Sequence, residues 1–74
     1  MERYWHVDAS FNRKEERVKV SAYGPAPRIY EALGNAKSAI AMAYPDAEVD
    51  NIDITSAEET DFVDKAWRVY QKIR

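Results

Sequence analysis

The chain has no cysteine, which excludes disulfides and thiolate metal centres. It has one histidine and two glycines. Gly24 and Gly34 stand alone, so there is no glycine-rich loop of the kind that cradles phosphates. No apolar run approaches the roughly 18 residues that a membrane span needs. The opening Met1-Glu2-Arg3-Tyr4-Trp5-His6 lacks the basic-then-apolar order of a secretory signal. Both observations lead to the expectation of a cytoplasmic protein with no membrane partner. With 74 residues, one domain over residues 1–74 is expected. A domain of that size buries only about 60% of its extended surface and is marginal without staples. Two tryptophans, two phenylalanines and five tyrosines supply large buried areas instead, and argue against disorder.

Charge is unevenly placed. Residues 1–45 carry seven basic and five acidic side chains, and residues 46–74 carry four and eight. From Asp46 to Asp64 there are eight acids and no base. This run is the strongest compositional signal in the chain.

Periodicity divides the chain into five elements. Residues 4–11 alternate, with Trp5, Val7, Ala9 and Phe11 on one face and Tyr4, His6, Asp8 and Ser10 on the other. Residues 17–23 alternate too, with Val18, Val20 and Ala22 inward and Arg17, Lys19, Ser21 and Tyr23 outward. Asn12-Arg13-Lys14-Glu15 reads as the hairpin loop between them. The expected register sets Ala9 opposite Val18 and Val7 opposite Val20, which places Asp8 beside Lys19 and Tyr4 beside Tyr23. Gly24-Pro25-Ala26-Pro27 then leads into a helix, with Pro27 in its first turn and Ile29, Leu33, Ala36, Ile40 and Ala43 as its stripe. Tyr44-Pro45-Asp46 stops that helix. Ile52 and Ile54 give a third strand, and the phase of Val49 predicts a bulge or bend near Asp50-Asn51. Ser56-Ala57-Glu58-Glu59 has the form of a capping box. A second helix is expected after it, with Phe62, Val63, Ala66, Val69, Tyr70 and Ile73 as its stripe, Trp67 at the edge, and Lys72 and Arg74 closing it. The expected fold is therefore α+β: a ββαβα two-layer domain whose three-stranded sheet, order 2-1-3, carries two helices on one face. The other face stays open and is lined by the outward residues of both hairpin strands, with Asp53.

The chemistry available on such a frame is narrow. A triad would need His6 as base with Asp8 and Ser10 or Ser21, but a flat open face excludes no water and offers no oxyanion donors. No catalytic residue is assigned, and no enzyme activity is expected. Asp46-Ala47-Glu48-Val49-Asp50-Asn51 is similar to the start of a calcium loop, but it lacks glycine at the sixth position and glutamate at the twelfth. His6 with Asp8 offers too few ligands for zinc. No metal and no cofactor are expected. Tyr4, Tyr23 and His6, ringed by Arg13, Lys14, Arg17 and Lys19, form the kind of face on which single-stranded bases stack. Against that stand Asp8 at its centre and a net charge of −2. Gly34, Ser38 and Ala41, between Tyr30 and Lys37, make an uncharged helical strip that would admit a second copy of the chain as a homodimer.

The stretch Glu31-Ala32-Leu33-Gly34-Asn35-Ala36-Lys37-Ser38-Ala39-Ile40 resembles the helix that follows the β-hairpin in HicB-type antitoxins. More broadly, a hairpin, an alanine-rich helix, and Tyr44-Pro45-Asp46-Ala47-Glu48-Val49 leading into Ile52 resemble small phage and mobile-element proteins, including anti-CRISPR proteins. That resemblance implies a small non-enzymatic inhibitor that blocks a host or defence protein. The expected contact surface is the acidic run Asp46, Glu48, Asp50 and Asp53 facing a basic protein partner. Tyr4 and Tyr23 on the open face form the second expected surface. An RNA- or single-stranded DNA-binding module and a structural homodimer are the alternatives.

Overall fold

The computed structural model describes residues 2–72. The elements follow the order β1 (Arg3–Arg13), β2 (Glu16–Ala26), α1 (Ile29–Ala43), a short 3-10 turn (Val49–Asn51), β3 (Asp53–Glu59) and β4 (Arg68–Gln71). The four strands form one sheet in the order β3-β1-β2-β4. Every neighbouring pair is antiparallel.

The hairpin is longer and tighter than its sequence pattern predicts. Pairing runs unbroken from Arg3↔Ala26 to Arg13↔Glu16, leaving only Lys14 and Glu15 as the loop. Ala9 therefore faces Val20 and Phe11 faces Val18, a slip of two residues from the expected register. Because side chains alternate with period two, such a slip keeps every residue on its expected face. The longer ladder is favoured because it brings the fully buried Phe11 into the apolar layer opposite Val18. Lys14 takes a positive φ of 57°. A left-handed residue at the first of two loop positions is the pattern of a type II′ turn, where glycine is normally found.

The apolar faces of β1 and β2 form the floor of the core, with Trp5, Val7, Ala9, Phe11, Val18, Val20 and Ala22 all buried. α1 lies on this floor through Ala32, Ala36 and Ile40, one residue per turn along a single line. Two of the three are alanines, so the helix sits close to the sheet. Leu33 packs partly, while Ile29 at the expected stripe's start is 40% exposed. Pro27 precedes the helix rather than occupying its first turn. Tyr44 caps the C-terminal end, its backbone N–H bonding to the Ile40 carbonyl at 2.8 Å.

The second half of the chain corrects the expected architecture. Among the described residues there is one α-helix, not two, and the sheet has four strands, not three. The strand order expected for the first three survives, with β1 between β2 and β3, and β4 adds to the free edge of β2. Ser56-Ala57-Glu58-Glu59 caps no helix; all four residues belong to β3 and pair with β1 up to Trp5↔Glu59. A helix starting at Ser56 would leave the outer edge of β1 unpaired beside buried Trp5 and Val7. The ladder satisfies more backbone groups than a capping box does. The bend expected near Asp50-Asn51 is the 3-10 turn Val49–Asn51, and a separate register irregularity in β3 falls opposite Asp8/Ala9. Ile73 and Arg74, assigned to the second helix, lie outside the described residues.

Between β3 and β4 the chain crosses the end of the sheet from one edge to the other. Its course is fixed by the aromatic side chains Phe62 and Trp67. The Trp67 indole lies over Gly24, where a Cβ would fall 2.2 Å from the ring. Its Nε1–H donates to the Pro25 carbonyl at 2.9 Å. The Trp5 indole donates to the next carbonyl, Ala26, also at 2.9 Å. Both tryptophans thus hold the end of β2, and Gly24 is needed for space rather than for backbone freedom.

Gly24→Ala is expected to destabilise the fold by about 1–3 kcal/mol through overpacking against Trp67. It should also raise the solvent exposure of one tryptophan, read by fluorescence and by the denaturation midpoint. Lys14→Gly is expected to stabilise the hairpin by about 0.5 kcal/mol by relieving the left-handed lysine, seen as a rise in the same midpoint.

Candidate functional site

Among the described residues no second layer covers the face of the sheet opposite α1. Period two places Tyr4, His6, Asp8 and Ser10 of β1 on it, beside Lys19, Ser21 and Tyr23 of β2. Ser56 and Glu58 of β3 sit opposite Asp8 and His6, and Tyr70 of β4 sits opposite Ser21. The surface divides into a polar centre and an aromatic end.

Asp8 organises the polar centre. Its Oδ1 accepts from the Ser21 hydroxyl at 2.7 Å and lies 2.9 Å from His6 Nε2. Its Oδ2 accepts from Ser56 at 3.2 Å and pairs with the Lys72 ammonium at 3.1 Å. The Asp8 side chain is only 18% exposed. Burial alone would raise its pKa. The Ser21 and Lys72 hydrogen bonds and the His6 and Lys72 charges outweigh burial and hold it below the usual carboxylate range.

His6, Asp8 and Ser21 are the three groups that a serine-type triad would require, and the sheet brings them together. Their connectivity is wrong for one. An ionised carboxylate only accepts hydrogen bonds, so His6 Nε2 carries the proton in its contact with Asp8. The same nitrogen is the one nearest Ser21, at 3.4 Å, and Ser21 donates to Asp8 instead. A base would have to present an unprotonated nitrogen to the serine and its other nitrogen to the acid. His6 Nδ1 instead faces Glu58, at 3.9 Å. The cluster is a structural network that joins three strands and the end of β4.

The aromatic end begins where His6 stacks on Tyr23, centroids 4.5 Å apart and planes within 7°. Phe62 and Tyr70 stand against Tyr23 at 72° and 70°, with centroids 5.3 and 5.8 Å away. With Thr60 these four rings enclose an open hollow of about 360 Å³. Phe62 is 53% exposed and Tyr70 47%. Phe62 is placed by the loop after β3, whose turn is closed by its own backbone N–H bonding to Thr60 Oγ1 at 3.2 Å.

Of the expected site residues, Tyr23 is at the heart of this cluster. Tyr4 shares the face, half-buried. The acidic run lies elsewhere, near the hairpin end. Asp46 pairs with Arg13 at 3.4 Å and Asp53 with Arg17 at 2.6 Å. Glu48 accepts from the Asn51 side chain at 3.1 Å, and Asp50 lies in the exposed 3-10 turn. The arginines expected to ring the open face are thus partly occupied by these acids. Phe62 and Tyr70 were not foreseen as site residues, because both were assigned to a helix on the far face. Gly34 meets nothing within 4 Å of an added Cβ, so no contact within the chain requires a small residue there. Among the described residues no group of three or more His, Cys, Asp or Glu side chains could hold a metal ion, and no helix is long and apolar enough to cross a membrane.

A group whose pKa is depressed on folding contributes stability that is present above its unfolded pKa and lost as pH falls through the folded one. Asp8 therefore stabilises the sheet above about pH 4, and this contribution is expected to disappear progressively on acidification below that. Asp8→Asn should cost about 1–3 kcal/mol at neutral pH. It should also flatten the acid limb of the stability profile, measured by urea denaturation between pH 2 and 7.

No family model, curated protein or solved structure matches this chain, and what the face can do follows from its own side chains.

Proposed function

We propose that this protein is a non-enzymatic binding module that holds a protein partner on the uncovered face of its sheet. The observation that carries this reading is the cluster Tyr23, Phe62 and Tyr70. These are large aromatic side chains, partly exposed, on the face that the only helix among the described residues leaves bare. Aromatic anchors at the centre of a patch with a polar surround are the usual composition of a protein-binding hot spot. The surround here is already satisfied internally: Asp8 with Lys72, Glu59 with Arg3, and Asp64 with Arg68. At these three positions a docking partner meets paired charges rather than bare ones that it would have to desolvate, and Glu58 beside His6 is a carboxylate that no lysine or arginine engages among the described residues.

The same pairing weighs against a nucleic-acid ligand. Phosphate binding needs uncompensated lysine and arginine, and Arg3, Arg13, Arg17, Arg68 and Lys72 each hold a carboxylate within 3.5 Å. In this reading Asp46, Glu48, Asp50 and Asp53 steer a basic partner during approach rather than hold it. A rigid body of this size acts on its partner by covering a surface, which is the steric mode that the sequence resemblance implies.

Affinity capture from the native host tests this with four baits. The unaltered chain should retain a partner protein. Phe62→Ala and Tyr70→Ala should each weaken that capture at least about fivefold, equivalent to loss of about 1 kcal/mol. Replacing Asp46, Glu48, Asp50 and Asp53 together by their amides should alter its salt dependence while capture persists. Capture unaffected by the two aromatic substitutions, or tight salt-dependent binding of single-stranded oligonucleotides in a gel-shift titration, would overturn the proposal.

A further inference from the structure

The hollow at the aromatic end has a shape and charge that select one kind of ligand group. Tyr23 and His6 form a pair of parallel plates. Phe62 and Tyr70 are set at 72° and 70° to Tyr23, each within 6 Å between centroids. Ring surface of His6, Tyr23, Phe62 and Tyr70 borders this one volume. Ring faces carry the negative part of the aromatic quadrupole, so a volume bounded by several of them attracts a cation within about 6 Å.

The charges near the rim have the matching sign. Glu58 flanks His6, its carboxylate 3.9 Å from Nδ1, and Asp61 lies between Thr60 and Phe62 in the chain. Among the described residues neither lies within 4.0 Å of a lysine or arginine nitrogen, whereas Glu59 and Asp64 are paired with Arg3 and Arg68. A carboxylate that no lysine or arginine engages among the described residues, Glu58, therefore lies beside the hollow, and the lining itself includes no arginine or lysine. A phosphate or carboxylate would find little to hold it there, and a neutral base would gain stacking but nothing from the rim.

We infer that the hollow bounded by Tyr23, Phe62 and Tyr70 receives an alkylammonium group, a lysine or methylated-lysine side chain of the partner protein. The inference rests on the protein-binding reading above and adds the chemistry of the contact. The aliphatic stem would lie along Phe62 and Tyr70, and the ammonium would sit against the rings with Glu58 beside it. At about 360 Å³ the hollow is at the small end of ligand sites, which span about 300–1,000 Å³. That suits one side-chain head rather than a whole cofactor.

Tetramethylammonium and its neutral isostere, a tert-butyl alcohol of equal bulk, test the assignment by titration into the ¹⁵N-labelled full chain. The cation is expected to shift the resonances of Tyr23, Phe62 and Tyr70 and to bind at least about fivefold more tightly than the alcohol. Phe62→Ala should weaken it by a similar factor while the resonances of β1 and β2 away from His6 and Tyr23 stay unchanged. Phe62 is 53% exposed, and an unchanged amide pattern across α1 and the rest of the hairpin checks that the variant keeps the fold. Glu58→Gln with Asp61→Asn should weaken the cation two- to threefold (roughly the value of rim charges near a water-facing site). Equal binding of cation and alcohol, or no shift of these resonances at 50 mM probe (on the order of the weakest useful site), would overturn the assignment. The two readings separate in the capture experiment. A partner lost with Phe62→Ala but not displaced by tetramethylammonium removes the ammonium group and leaves protein binding in place. A single-stranded oligonucleotide that shifts the same resonances removes both.

Discussion

Eleven residues of β1 lie against eleven of β2 without a break, and every other element attaches to this ladder. Its two outer edges and two faces define four places for further structure. β3 takes the edge of β1, β4 takes the edge of β2, and α1 covers the face that carries Trp5, Val7, Phe11 and Val20. Period-two alternation then settles the fourth place. If one face is apolar throughout, the other must carry the intervening residues, and these are polar or aromatic. Few apolar groups are left for a second layer to cover, so a single helix is enough to complete the core.

The uncovered face must stabilise itself sideways. Asp8 does this by drawing hydroxyls from β2 and β3 and an ammonium from the end of β4 to one carboxylate. Such a group is costly to shield from water unless all its lone pairs are used. Here they are, which is why its pKa falls despite partial burial. The arrangement links acid sensitivity to the cohesion of the sheet. It also separates the face into a closed polar half and an open aromatic half, since His6 contributes one nitrogen to Asp8 and its ring plane to Tyr23. The polar half has little left to offer a ligand. The aromatic half has unburied ring surface.

Much of the first half was legible from residue order, because strict alternation in β1 and β2 specifies face even where it leaves register open by two. The helix stop at Tyr44-Pro45 was legible for the same local reasons, but of the third strand only the start near Ile54 was, since Ser56–Glu59 carry the pattern of a helix cap. The C-terminal segment was not. Phe62, Val63, Ala66, Val69 and Tyr70 fall at helical spacing, yet Trp67 and Val69 against Arg68 and Tyr70 also alternate, and a window that short fits both periods. What decides between them is non-local: β1 needs a partner along its whole outer edge, β2 has a bare edge, and Gly24 leaves a space the size of an indole ring. A glycine inside an otherwise regular strand was the available signal of close approach. The candidate site divides in the same way. Tyr4, Tyr23, His6 and Asp8 were placed on the open face by alternation, whereas Phe62 and Tyr70 reach it only because the segment assigned to a second helix is extended.

That segment makes the site conditional on the weakest part of the sheet. β4 contributes four residues and pairs only from Val20↔Gln71 to Tyr23↔Arg68. A ladder that short holds little by itself. It stays in place because Trp67 fills the space over Gly24 on one face while Lys72 reaches Asp8 on the other. Phe62 and Tyr70 lie on either side of Trp67 in the chain, so they come to Tyr23 only while both anchors hold. Elements tied by few contacts open at lower free energy than the core that carries them. The aromatic hollow should therefore assemble and dissolve with β4, while the hairpin, α1 and β3 remain folded. A partner that binds the hollow draws its affinity in part from closing that equilibrium, and it would stabilise β4 more than any other strand.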